Sequence, residues 1–147
     1  MTVDEERRRI LECYGNASFE ELSIMLDRQF QMLQARSHAL LVVCGLLVTG
    51  NTLIGYFFRG AGSIEFSLFR AIGGAFAVAA AAVVMIGVMK LQWITQYPGE
   101  TTYDWLGYAL EYRNKKTRAF RVGTMLALVS IVFYELSVIV VIYMKRG

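Results

Sequence analysis

Hydrophobic and polar positions alternate along this chain on two scales. On the long scale, three apolar runs stand between polar stretches. They are residues 38–58 (HALLVVCGLLVTGNTLIGYFF), 71–89 (AIGGAFAVAAAAVVMIGVM) and 122–144 (VGTMLALVSIVFYELSVIVVIYM). Runs of 19 to 23 residues, at about 1.5 Å rise each, match a hydrocarbon core of roughly 30 Å. Each run is apolar all the way round, whereas a helix buried in a soluble core keeps a polar face. Three membrane-spanning helices follow.

On the short scale, the flanking stretches are amphipathic. Phe19, Leu22, Leu26 and Leu33 keep helical spacing, and no proline interrupts the chain before Pro98. One helix is therefore expected to run from about residue 19 through the first span to 58. Ser18 and Glu21 have capping-box spacing, as do Thr2 and Glu5, which open a short helix that Gly15 and Asn16 end. The second span is expected to begin before Arg70, capped by Ser63, and to continue past Lys90 to Pro98, with Trp93 and Tyr97 at the headgroup level. Thr101 or Thr102 then caps a third long helix to about Tyr143.

The expected fold is an all-α integral membrane protein. Its first and third spans extend into the cytoplasm, and a short N-terminal helix precedes them. The organisation is a helical leader over 1–36, a first span over 37–58 and an outer connection over 59–70. A second span with an interfacial extension covers 71–97, a turn and basic helix 98–121, a third span 122–144 and a tail 145–147. Residues 1–37 are too polar for a cleaved signal peptide.

Placing residue n over n + 84 aligns SFEELSIMLD (18–27) with TYDWLGYALE (102–111), leucine over leucine twice. Duplication gives such an echo, and so do two helices obeying the same capping and amphipathic rules. The two projecting stretches carry apolar faces, with Leu22, Met25, Leu26, Met32 and Leu33 on one and Tyr103, Leu106 and Leu110 on the other. They are expected to pair with each other and with neighbouring subunits.

Composition agrees with the pattern, since 56% of residues are hydrophobic, high for a soluble domain. Charge sets the orientation. With three spans, residues 1–37 and 90–121 share one side and hold eleven Lys and Arg against four on the other. The positive-inside rule places the N-terminus in the cytoplasm and the C-terminus outside. The net charge of +3 is not a nucleic-acid footprint, because ten acids on the same side nearly balance the bases. The basic stretch RNKKTRAFR (113–121) enters the third span, where Arg113, Lys115, Lys116, Arg118 and Arg121 are expected to meet lipid headgroups.

Catalytic chemistry has little to work with. Cys13 and Cys44 lie in different environments, His38 is the one histidine, and no Cys/His cluster is present. Neither a zinc site, a disulfide framework nor a cofactor is expected. Ser37 beside His38 lacks a nearby acid, and no phosphate loop occurs, so an enzyme is not the reading.

Glu135 is the residue that asks for an explanation. It lies 13 residues into the third span, about 20 Å from the edge. An ionised acid there costs about 2.5–3.5 kcal/mol or more unless it is paired, protonated or wet. Depth matching brings Asn51 and Thr52 to its level, and Arg70 can snorkel towards the same group. Three readings stay open: a neutral Glu135 bonded to Asn51, an ion- or proton-handling group, or an intersubunit contact. Gly73, Ala77 and Ala81 have small-xxx-small spacing beside Gly74, and Gly45 begins a second such face with Thr49, Thr52 and Tyr56. The small residues mark close helix packing, and the hydroxyls of the second face either line an aqueous path or bond back to their own carbonyls.

At LDRQFQMLQARSHALL (26–41) and YRNKKTRAFRVGTMLALVS (112–130) the chain resembles small, uncharacterised bacterial three-span membrane proteins. More distantly it is similar to the SMODS and SLOG-associating transmembrane effectors. That likeness rests on Lys116, Thr117 and Arg118 before the last span and on overall layout. The resemblance implies an inner-membrane pore opened in antiviral defence. The sequence departs from that class in having three apparent spans and no sensor domain, and no functional residue transfers. The expected function is a homo-oligomeric, channel-like assembly in the lipid bilayer, with a protein partner received at its cytoplasmic helices. The alternative is a non-catalytic accessory or scaffold subunit of a larger membrane complex, whose Glu135 fixes helix register with a neighbour.

Overall fold

The computed structural model of the protein describes residues 3–13, 19–57, 64–89 and 101–144. They form four helices and no strands: α1 (Val3–Cys13), α2 (Phe19–Phe57), α3 (Ile64–Gly87) and α4 (Thr102–Met144). The last three are long and apolar enough to cross a membrane, which makes this a multi-pass membrane protein. Leucine spacing and the absence of proline carry α2 for 39 residues and α4 for 43. The N-terminal box of α4 is closed by Thr101, whose hydroxyl accepts from the Asp104 amide at 3.2 Å and donates to the Asp104 carboxylate at 2.7 Å. The other caps foreseen, at Thr2, Ser18 and Ser63, lie outside the described residues. So does the glycine stop at Gly15; α3 ends at Gly87, with Val88 in a turn and Met89 in a bend, short of the continuation expected past Lys90, whose residues also lie outside the described ones. α3 starts at Ile64, before Arg70 as expected, so seven of the twelve residues assigned to the outer connection are helix.

Two packing centres hold the helices together. The first is a head beyond the apolar spans, where Leu22 and Leu26 of α2 meet Trp105, Leu106, Ala109 and Leu110 of α4. α1 lies on this cluster through Val3, Ile10 and Leu11. The second centre is inside the spans, where Cys44, Ala80 and Ala127 bring α2, α3 and α4 together.

α2 and α4 run parallel, and their register is the n + 84 offset of the sequence. Gln29 bonds Arg113, 84 positions on, and Tyr134 lies against Gly50 at the same offset. Leu22 with Leu106 and Leu26 with Leu110, the aligned leucine pairs, fill one core. Two parallel helices burying matched stripes against each other place equivalent residues side by side, which accounts for the echo physically.

α3 runs antiparallel to α4 along a seam of small residues. A Cβ on Gly73 would lie 3.3 Å from Phe133 and 3.4 Å from the Ser130 carbonyl, and one on Gly123 would lie 2.5 Å from Val84. Ser130 donates to the Gly73 carbonyl at 2.8 Å, a bond the close approach makes possible. Phe76 stacks on Phe133 at 5.9 Å, fixing the rotation of the two helices. Gly73→Leu is expected to force this seam apart at a cost of about 1–3 kcal/mol. A lower thermal midpoint in detergent is the readout, and an unchanged one contradicts the seam.

Candidate functional site

Of the polar residues expected at one depth in the membrane, the structure assembles half. The Asn51 amide donates to the Arg70 carbonyl at 2.9 Å, and Arg70 Nε donates back to Asn51 Oδ1 at 3.3 Å. This reciprocal pair ties α2 to α3. Gly74 admits it, since a Cβ there would lie 2.8 Å from the Asn51 amide nitrogen. The Arg70 guanidinium then crosses Gly55, filling space that a side chain would take. Its Cζ also stands 5.4 Å from the Phe66 ring, a cation–π contact.

Glu135 is not part of this cluster. It is exposed on the outer face of α4, and among the described residues no hydrogen bond or ion pair reaches it. The depth matching is sound, because Asn51 and Glu135 sit at the n + 84 offset. The helical phase is what differs. The inward stripe of α4 is Ala127, Ser130, Ser137 and Val141, all buried. Successive helix positions turn by about 100°, which carries Glu135 well away from that stripe. It shares its face with Leu128, Val132, Ile139 and Ile142, each 46–56% exposed. Thr52 also leaves the cluster. It is exposed, and its hydroxyl bonds back to the Val48 carbonyl at 2.9 Å.

The small residues divide in the same way. Ala77 is fully buried, Ala81 packs on the Cys44 cluster, and Gly73 and Gly74 are taken up by Phe133 and Asn51. Gly45 does not pack on another helix, since a Cβ there would meet nothing within 4 Å. Its position one step round from buried Cys44 turns it outward, together with Thr49, Thr52 and Tyr56.

In the head, the basic stretch splits into two groups. Lys115, Arg118 and Arg121 are exposed, whereas Arg113 and Lys116 are drawn into the protein. Arg113 was expected at the headgroups. Its Nη2 instead donates to both Glu6 carboxylate oxygens at 2.7 Å, and its Nη1 to Gln29 at 3.0 Å. One side chain thereby links α1, α2 and α4. Lys116 lies 4.7 Å from the Tyr112 ring and 5.8 Å from that of Phe30. Burial lowers the Lys116 ammonium below the usual lysine range and raises the Tyr112 phenol above the usual tyrosine range. On α1, Arg7 pairs with Asp4 and lies 3.8 Å over the Tyr103 ring.

Sequence reasoning missed the role of α1. The signal was present in its one apolar side, Val3, Ile10 and Leu11, with Glu6 close by. Among the described residues no group of three or more His, Cys, Asp or Glu is placed to hold a metal ion. Compared with protein-family models, with curated proteins and with solved structures, the chain finds no match in any of the three.

Proposed function

We propose that this protein is the repeating unit of a homo-oligomeric, channel-like assembly in a cell inner membrane. Its N-terminus and helical head lie in the cytoplasm and its C-terminus outside. One observation carries the reading: a carboxyl group stands at mid-span depth on an otherwise apolar, uncovered helix face. Acyl chains cannot solvate it, so company must come from another protein surface or from water held by one. Three helices enclose no passage by themselves, and copies arranged around an axis do.

The head suits the role of a receiver for a gating partner. Its leucine core and the Arg113 link join α1 rigidly to the cytoplasmic ends of α2 and α4, so a displacement there reaches two spans directly. The protein acts without a cofactor and without catalysis in this reading.

A second reading, a scaffold subunit, draws support from Asn51 and Arg70. They satisfy each other across α2 and α3, as polar groups that only fix register would. Ion flux from liposomes separates the two. Wild-type protein is expected to release ions, and Glu135→Gln, nearly isosteric, to change the rate several-fold. Protein without flux, with the Asn51–Arg70 bond intact, favours the scaffold, and a strictly monomeric wild type in lipid nanodiscs defeats the channel.

A further inference from the structure

We infer that the Glu135 face of α4 docks on a second copy of this chain, where the guanidinium of that copy's Arg70 closes the carboxylate. The inference rests on the self-assembly reading above and names its interface.

Depth is the first argument. Along the antiparallel α3–α4 seam, Gly73 faces Ser130, Phe133 and Tyr134, while Phe69 and Phe76 both contact Phe133. That register puts Arg70 level with Glu135 and Leu136. Copies related by an axis along the membrane normal keep every residue at its own depth. Glu135 of one copy can therefore meet only what lies at that level in the next, and Arg70 is the cation there.

Direction is the second argument. Within one chain, Arg70 is directed across α2 at Gly55, whereas Glu135 points away from α2 and α3. Opposite charges at one depth on different faces cannot pair in the same chain. They suit a head-to-tail contact that closes into a ring. Of the guanidinium nitrogens, Nε is the one bonded to Asn51. Among the described residues its Nη nitrogens have no hydrogen-bond acceptor, and a carboxylate is the acceptor whose geometry arginine favours.

Shape is the third. Beside Gly55, α2 presents the outward face of Gly45, Thr49 and Thr52, and nothing lies within 4 Å of a Cβ at Gly45. A neighbouring helix can approach closely there. The large side chains of the α4 face, Leu128, Val132 and Ile139, are exposed and can pack beside Gly45, below the exposed Tyr56 on the same face of α2.

Charge exchange between full-length copies in nanodiscs tests the proposal. Two differently tagged chains are made, one with Glu135→Arg and one with Arg70→Glu. Alone, each places like charges at the interface and is expected to lose the wild-type oligomer mass. Expressed together, they restore opposite charges at every interface between unlike chains, so that a ring in which the two alternate carries no like-charge contact. They are then expected to co-purify at the wild-type mass.

A second measurement covers the case in which Arg70→Glu fails to insert. It uses a background of Cys13→Ser and Cys44→Ala that keeps the wild-type mass. A Glu135→Cys chain and an Arg70→Cys chain should then be joined by a short bis-maleimide. The proposal is overturned if Glu135→Arg alone keeps the wild-type mass, or if cross-links form only between two copies of Glu135→Cys. In both of those outcomes self-assembly itself stands. A monomeric wild type removes self-assembly and the interface together.

Discussion

Arg113→Ala is expected to release α1 from the head. The Arg113 and Glu6 side chains are each 18% exposed, and the guanidinium also bonds Gln29. Removing Arg113 leaves the half-buried Glu6 carboxylate without its bidentate donor; breaking a fully buried pair costs about 3–5 kcal/mol, an upper bound here. Residual exposure places this pair near 3 kcal/mol, since water reaches part of it. The loss should be local, because α1 touches the head through few apolar side chains. Hydrogen exchange is the direct readout: α1 amides should lose about two orders of magnitude of protection, while α4 amides in the third span keep theirs. Glu6→Gln combined with Arg113→Met removes both charges and should recover most of the loss. Unchanged exchange in α1 after Arg113→Ala would show that apolar packing alone holds this helix.

Leu110→Ala should weaken the head as a whole. Leu110 is completely buried among Leu22, Leu26 and Leu106. Truncating a leucine in such a site costs about 2–5 kcal/mol, through lost transfer energy and the cavity left behind. Trp105 belongs to the same cluster and is 5% exposed, so its fluorescence reports the site. With Trp93→Phe as background, Leu110→Ala should bring the red shift of Trp105 to lower denaturant concentration. Leu128→Ala, on the uncovered face of α4, should leave that transition in place. Equal effects from the two would mean that the head and the outer face are not distinct.

The spans and the long helices were legible because their signals are local. Apolar runs of bilayer length mark α2, α3 and α4, and Thr101 with Asp104 marks the start of the last. Depth was legible too, because rise per residue is fixed. Counting put Asn51 and Glu135 at one level, and the n + 84 register agrees. Facing was not legible inside the spans. A helix that is apolar all round gives no stripe to say which side meets a neighbour. Depth alone therefore groups Glu135 with Asn51, although α4 turns it outward. Small residues carried the same ambiguity: Gly73 is taken up by the seam, while Gly45 is open.

The basic stretch shows a different limit. Arg113 and Arg118 look alike in sequence, yet one is enclosed by Glu6 and Gln29 and the other is exposed. What separates them is a carboxylate 107 positions away, which no local pattern announces. The sequence by itself determined the three helices long and apolar enough to cross a membrane and the relative level of their residues, since each depends on neighbours along the chain. Only the tertiary structure decided which polar groups meet, because that depends on helix rotation. Rotation is set by the close contacts of Gly73, Gly123 and Phe133 across the α3–α4 seam, not by hydrophobicity, which in a span is nearly uniform around the axis.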